Sequence, residues 1–175
     1  MDGRSTVKPD FDELVEQHSA EIFAYMWRLL RDAHDAEDCL QETFLRAFRS
    51  YSRVRAGSNY RAWLYKIATN TARSQWKHRT RSEAHTVDLD PDRQADEMSV
   101  ADRVERQTLL AAVTHAVEAL PDQQRAALIM RKYQELSYAE IASALECTEA
   151  AARANVYQAV KKLQIQFAEN EGGAR

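Results

Sequence analysis

The sequence predicts an all-α fold: two small helical domains joined by a flexible acidic linker, the second carrying a helix-turn-helix. Gly (4) and Pro (3) are scarce among 175 residues, which leaves few turn signals for a sheet. Apolar residues recur at spacings of three and four along most of the chain. The long exception begins at Glu83 and runs Ala-His-Thr-Val-Asp-Leu-Asp-Pro-Asp. A stretch so acidic and aperiodic buries too little apolar surface to offset its ordering entropy. The first domain is therefore drawn over residues 8–82, the linker over 83–104 and the second domain over 105–168.

The first predicted helix carries Phe11, Leu14, Val15, His18, Ile22, Tyr25, Met26 and Leu29 on one face. Asp35 is expected to cap the second, where Ala36, Leu40, Phe44, Ala47, Phe48 and Tyr51 form an apolar stripe. Arg53 to Asn59, with Gly57, reads as a loop. A third helix begins near Asn59 or Tyr60. Tyr60, Trp63, Leu64, Ile67, Ala68 and Thr71 fall on one face, and Lys66, Asn70, Arg73 and Lys77 on another.

The second domain opens with a helix bearing Val104, Leu109, Ala112, Val113, Ala116, Val117 and Leu120. Pro121 suits the first turn of the next, which runs to about Tyr133. Ser137 and Glu140 form a capping box before Ile141, Ala142 and Leu145. After the break at Glu146-Cys147, Thr148 caps a last helix that reaches about Phe167. Two capped helices joined by so short a break have the lengths of a helix-turn-helix, whose second helix presents its N-terminal end to the major groove. Arg153 lies in that helix's second turn, with Tyr157, Lys161 and Lys162 further along.

Charge is distributed in blocks. Lys8 to Glu42 holds three basic and ten acidic residues, Thr43 to Ser82 ten basic and no acidic ones. Glu83 to Arg106 holds eight acidic and three basic, and Thr108 to Ala168 six of each. The basic block also carries seven of the fifteen aromatic residues. Phosphate backbones attract such a block, and unstacked bases lie on exposed rings. Lys66, Arg73 and Lys77 would hold phosphates, and Asn70 would hydrogen-bond a base edge. Trp63 belongs with the core, whereas Tyr65 and Trp76 fall off the apolar stripe and are the stacking candidates. The acidic linker serves solubility or mimics nucleic acid beside the basic surface. On the second helix, acidic residues first and basic residues last complement the helix dipole. Its face of Asp38, Gln41, Glu42 and Leu45 would also suit a protein partner.

Several function classes are disfavoured. A nuclease needs a carboxylate cluster or metal set near its basic surface, and the basic block has no carboxylate. The five histidines and two cysteines, Cys39 and Cys147, show no ligand spacing, so neither metal nor cofactor is expected. Cys39 reads as a small buried residue beside Leu40. A one-component repressor would need a sensing or dimerising domain, and the first domain offers no ligand-pocket signature. No apolar run approaches membrane-spanning length, no signal-peptide pattern opens the chain, and the expected compartment is the cytoplasm.

Asp35-Ala-Glu-Asp-Cys-Leu-Gln-Glu-Thr-Phe-Leu-Arg-Ala-Phe48 and Tyr60-Arg-Ala-Trp-Leu-Tyr-Lys-Ile-Ala-Thr-Asn-Thr-Ala-Arg73 resemble the first domain of extracytoplasmic-function (ECF) sigma factors. Leu120-Pro-Asp-Gln-Gln-Arg-Ala-Ala-Leu128 and Leu136-Ser-Tyr-Ala-Glu-Ile-Ala142 resemble their second. The resemblance implies a promoter-specificity subunit of bacterial RNA polymerase, not an enzyme. It places polymerase docking on Asp38, Gln41, Glu42 and Leu45. Minus-ten recognition and melting fall to Arg53–Asn59 with Lys66, Asn70, Arg73 and Lys77. Minus-thirty-five recognition falls to the helix after Thr148, with Arg153, Asn155, Tyr157 and Gln158. It also implies control by an anti-sigma factor. One departure stands out: where the family often has a Gly-Thr-Val-Arg-Ser-Arg-like run, this chain has Ala150-Ala-Ala-Arg-Ala-Asn155. Its recognition helix is poorer in phosphate contacts, so either minus-thirty-five affinity is weaker or Asn155 and Gln158 read different bases.

Overall fold

A computed structural model describes the backbone of residues 7–79 and 100–172, and side chains over 7–75 and 106–168. The predicted linker through residue 99 and the side chains of Trp76 and Lys77 lie outside the described residues. Seven helices and no strand occur among the described residues: α1 (Phe11–Leu30), α2 (Ala33–Tyr51), α3 (Tyr60–Arg79), α4 (Val100–Glu118), α5 (Asp122–Lys132), α6 (Tyr138–Leu145) and α7 (Glu149–Gly172). Residues 100–104, drawn as linker, form the start of α4.

The helix boundaries have local causes. Asp10 caps α1 and trades hydrogen bonds with Glu13 in a capping box. Asp32, not Asp35, caps α2: its backbone is extended and its side chain accepts from Asp35 N at 2.9 Å. Asp35 thus donates to the cap from inside the first turn. Asn59 Oδ1 accepts from Ala62 N at 2.9 Å and starts α3. Pro121 stands just before α5 with ψ 142°, not in its first turn. Ser137 and Glu140 form the predicted capping box on α6. Glu146 closes α6 in the left-handed region at φ 54°, and Thr148 Oγ1 accepts from Ala151 N at 3.1 Å to open α7.

α1, α2 and α3 pack mutually as one bundle, and α5, α6 and α7 as another. Ile22, Tyr25, Met26 and Cys39 are buried in the first; Ala127, Ile129, Ile141 and Ala152 in the second. The two bundles also pack against each other, α6 along α3 and α5 against α1, so that their buried side chains form one cluster. α4 touches the rest mainly through α7 and leaves Leu109 and Leu110 more than half exposed.

This arrangement corrects two readings of the apolar pattern. Tyr65 is fully buried instead of available for stacking. Its ring meets Tyr25 at 5.1 Å, and its hydroxyl donates toward Glu21 and Gln134. The face of α3 bearing Tyr65, Thr69 and Ala72 is buried as well as the face carrying Leu64 and Ala68, because α1 packs there through Tyr25 and Glu21 and the second bundle closes over it through Gln134. Phe48, read as part of the α2 stripe, is 64% exposed although its ring edges onto Phe11 at 5.2 Å.

Candidate nucleic-acid interface

The basic block folds into the end of α2, a loop, and α3. Within the loop Gly57 adopts φ 74°, a conformation that favours glycine, while a Cβ there would meet nothing within 4 Å. The backbone geometry, not crowding, requires the glycine. Gly57, Ser58, Asn59 and Tyr60 face Val7 to Asp10 and Glu13 across an open groove of about 850 Å³. One wall is anchored by Lys8, whose Nζ donates to the Tyr51 carbonyl and lies 4.0 Å from the centre of the Tyr51 ring. Tyr51 Oη in turn donates to the Pro9 carbonyl.

Along α3 the predicted reading residues have different surroundings. Asn70 is exposed and Arg73 is half-buried. Arg73 lines a narrow interdomain cleft with Leu29, Thr69, Ala72, Asp122, Arg125 and Ala126. Lys66 Nζ pairs with Glu146 Oε1 of the helix-turn-helix at 2.8 Å. Lys77 cannot be placed, since its side chain lies outside the described residues.

Beside this face is a polar network that the sequence reading missed. Arg61 grips the Glu21 carboxylate through Nε (2.9 Å to Oε2) and Nη2 (2.7 Å to Oε2), and Nη2 also donates to the Gln134 carbonyl at 2.7 Å. His18 completes the set through Nδ1 to Glu21 Oε1. Burial pushes the Glu21 carboxyl up, but hydrogen bonds from His18 and Arg61 and the guanidinium charge outweigh it and bring its pKa down to about 2. A signal was available: Arg61, Tyr65 and Thr69 are spaced four and four, a second stripe on α3 that could not be solvated and aromatic at once.

On α2, Asp38 and Gln41 are exposed and Glu42 is half-buried, paired with Arg46 at 2.6 Å. Leu45 is 51% exposed on the same helix. Cys39, behind this face, is fully buried; burial, with Asp35 and Asp38 adding to it, pushes its thiol up to about 12, which makes it a poor nucleophile.

At the cap of α7 Thr148 is exposed, and on the helix Arg153, Tyr157 and Gln158 are exposed and Asn155 is half-buried. Arg153 Nη2 donates to Glu149 one turn back, and its guanidinium lies 4.5 Å from the centre of the Tyr138 ring. Lys161 and Lys162 extend the exposed charge. No group of three or more His, Cys, Asp or Glu side chains with metal-binding geometry occurs among the described residues, and no described helix is long and apolar enough to cross a membrane.

Residues 14–82 match Sigma-70 region 2, and residues 110–163 match Sigma-70, region 4. The RNA polymerase sigma-H factor of Pseudomonas aeruginosa is 31% identical over 160 residues, spanning 87% of this chain and 83% of the relative. The chain belongs to the ECF RNA polymerase sigma factors. It is a transcription initiation factor that works by binding, not an enzyme. The ECF RNA polymerase sigma factor SigE of Mycolicibacterium smegmatis is 31% identical over 169 residues, which is 96% of this chain and 65% of that relative. Two solved structures share the fold: the sigma factor RpoE of Bartonella quintana (TM-score 0.71, 24% identity, 91% of this chain and 97% of that one) and CnrH (TM-score 0.67, 21% identity, 91% and 88%).

Proposed function

We propose that this sigma factor directs core RNA polymerase to specific promoters, helps to melt the minus-ten element, and divides the work among three surfaces. Asp38, Gln41, Glu42 and Leu45 of α2 dock on polymerase. The loop 53–59 with Lys66, Asn70, Arg73 and Lys77 holds the unstacked minus-ten strand, the cations on phosphates and Asn70 on a base edge. Thr148, Arg153, Asn155, Tyr157 and Gln158 meet the minus-thirty-five duplex. Exposure orders that last set: Tyr157 and Gln158 face outward, while half-buried Asn155 has less reach.

The observation that carries the reading is the α2 surface. It leaves Leu45 and Phe48 at least half exposed beside Asp38 and Gln41. An exposed apolar pair bordered by acidic and amide side chains is an unmet protein contact. Pyrimidine–purine steps unstack at low cost, so capture of melted bases itself adds specificity. Two modest DNA sites on one chain gain joint affinity through effective concentration.

Control by an anti-sigma factor is part of the proposal. RpoE of B. quintana was solved in complex with the anti-sigma factor NepR, and CnrH in complex with the cytosolic domain of CnrY. The working compartment is the cytoplasm, where polymerase and promoters meet. The test is run-off transcription with core polymerase over a promoter library. The expected result is a defined promoter class, lost with Asp38→Arg/Glu42→Arg through weaker polymerase binding. Unchanged polymerase affinity in that variant would remove the docking assignment.

A further inference from the structure

We propose that Tyr138 is a positioning residue for duplex binding: its ring holds the Arg153 guanidinium in place before DNA arrives and leaves the donors of that guanidinium free for a backbone phosphate. This role rests on the assignment of Arg153 to the minus-thirty-five duplex; the contacts that hold Arg153 do not.

Arg153 has little support on its own helix. One turn back stand Glu149 and Ala150, and one turn ahead Val156, which is buried, and Tyr157, which is exposed. Of these, Glu149 accepts from Arg153 Nη2. Both side chains of that pair are exposed, and an exposed pair one turn apart restrains little. The second support comes from α6. Tyr138 is its first residue and is half-buried against the core. Its ring centre lies 4.5 Å from the Arg153 guanidinium. The capping box of Ser137 and Glu140 fixes where α6 begins, and with it the place of the ring. Arg131, in the last turn of α5, is a brace. Its guanidinium lies 4.8 Å from the same ring centre, and its Nη1 donates to the Leu136 carbonyl at 3.0 Å. Among the described residues, Tyr138 is the ring that receives two guanidiniums. The ring is thus held by the core and by α5, and Arg153 is held by the ring.

The two supports differ in what they leave free. Glu149 occupies an N–H group of the guanidinium and competes with phosphate for it. A ring attracts the cation through its π face and takes none of the N–H donors. An incoming phosphate therefore displaces Glu149 and keeps the ring contact. An arginine already ordered loses less freedom when it binds, a gain of about two- to tenfold in affinity. The gain matters on this helix. Arg153 is the one cation between Thr148 and Val160, and Asn155 follows it without charge.

The test uses the full chain. In NMR spectra of the free protein, the Arg153 side-chain protons should carry an upfield ring-current shift that Tyr138→Leu removes and Tyr138→Phe keeps. With core polymerase bound, affinity is then measured over a range of salt on a promoter duplex containing the minus-thirty-five element. Tyr138→Leu should weaken binding about two- to tenfold with the salt slope unchanged, because the phosphate contact is still made. Tyr138→Phe should bind like the wild type. In an Arg153→Ala background, Tyr138→Leu should have no further effect. Additive losses would overturn the positioning role and mark Tyr138 as general packing. An equal loss in Tyr138→Phe would overturn it too, since the hydroxyl would then be the DNA contact. So would a missing ring-current shift. If Arg153→Ala leaves affinity unchanged, the duplex assignment of Arg153 falls and takes the positioning role with it, while the ring-current shift persists and tells the two failures apart.

Discussion

α3 and α7 both enter as DNA-reading helices, yet they are built into the molecule in opposite ways. α3 lies against α1, α2 and α6, and only Asn70 and Ser74 are exposed among its described side chains. α7 rests on α5 and α6 and presents most of its N-terminal half to solvent. The difference follows from composition. α3 carries Tyr60, Trp63, Leu64, Tyr65 and Ile67 among its cations and is apolar over most of its circumference. α7 opens with a run of alanines, Ala150 to Ala152, which bury little area and leave the polar side free. A helix with more apolar surface than its own bundle covers takes a further neighbour, and here that neighbour is the other domain.

The comparison can be broken most severely at α6, the helix packed against both. Ile141 is fully buried there, and Ile141→Ala should cost about 2–5 kcal/mol, read as a fall in the urea midpoint. A loss below about 1 kcal/mol would mean that α6 is not a shared support.

Next is the Glu21 network behind α3. Its folded pKa of about 2 lies below the ordinary value of 4.5. The carboxylate therefore contributes stability that is fully present above the unfolded pKa and lost as pH falls from about 5 toward 2. The contribution is of order 2–3 kcal/mol. Glu21→Gln should flatten the acid limb of stability between those pH values; an unchanged limb would remove Glu21 from the account.

On the reading face itself, Asn70→Ala should cost about 1–3 kcal/mol of discrimination at one minus-ten position, scored by run-off transcription on single-base promoter variants. Unchanged promoter choice would sink the α3 assignment. The counterpart on α7 is Arg153→Ala, which should weaken minus-thirty-five duplex binding with a shallower salt dependence, by about one phosphate contact. If the slope does not move, Arg153 serves only Glu149 and Tyr138. The smallest effect is expected from Thr148→Ala, about 1 kcal/mol for the lost cap of α7, seen in thermal unfolding.

The helical frame around the candidate site is legible in the sequence. Ser137 and Glu140 announce α6, and Thr148 announces α7, because capping depends on a few adjacent residues whose chemistry is local. Arg53 to Asn59 was legible as a loop through Gly57, whose positive φ few other residues tolerate. Tyr65 reads as a base platform in the sequence yet is buried in the structure, for the opposite reason. A position off the main apolar stripe looks exposed until a second body is known to cover it. Asp32 and Asp35, three residues apart, offer the same carboxylate for the cap of α2, and only the backbone turn decides between them.

The sequence by itself determined seven helices, the caps at Ser137 and Thr148, the segregation of positive charge into one carboxylate-free block, and the sigma-factor motifs. All of these depend on residues within a turn or two of one another, or on composition. Only the tertiary structure decided that Arg61 and Tyr65 look inward at Glu21 and Gln134, and that Glu146 meets Lys66. Those partners lie tens of residues apart. Their meeting depends on how two helical bundles with leftover apolar surface settle against each other, which no local pattern encodes.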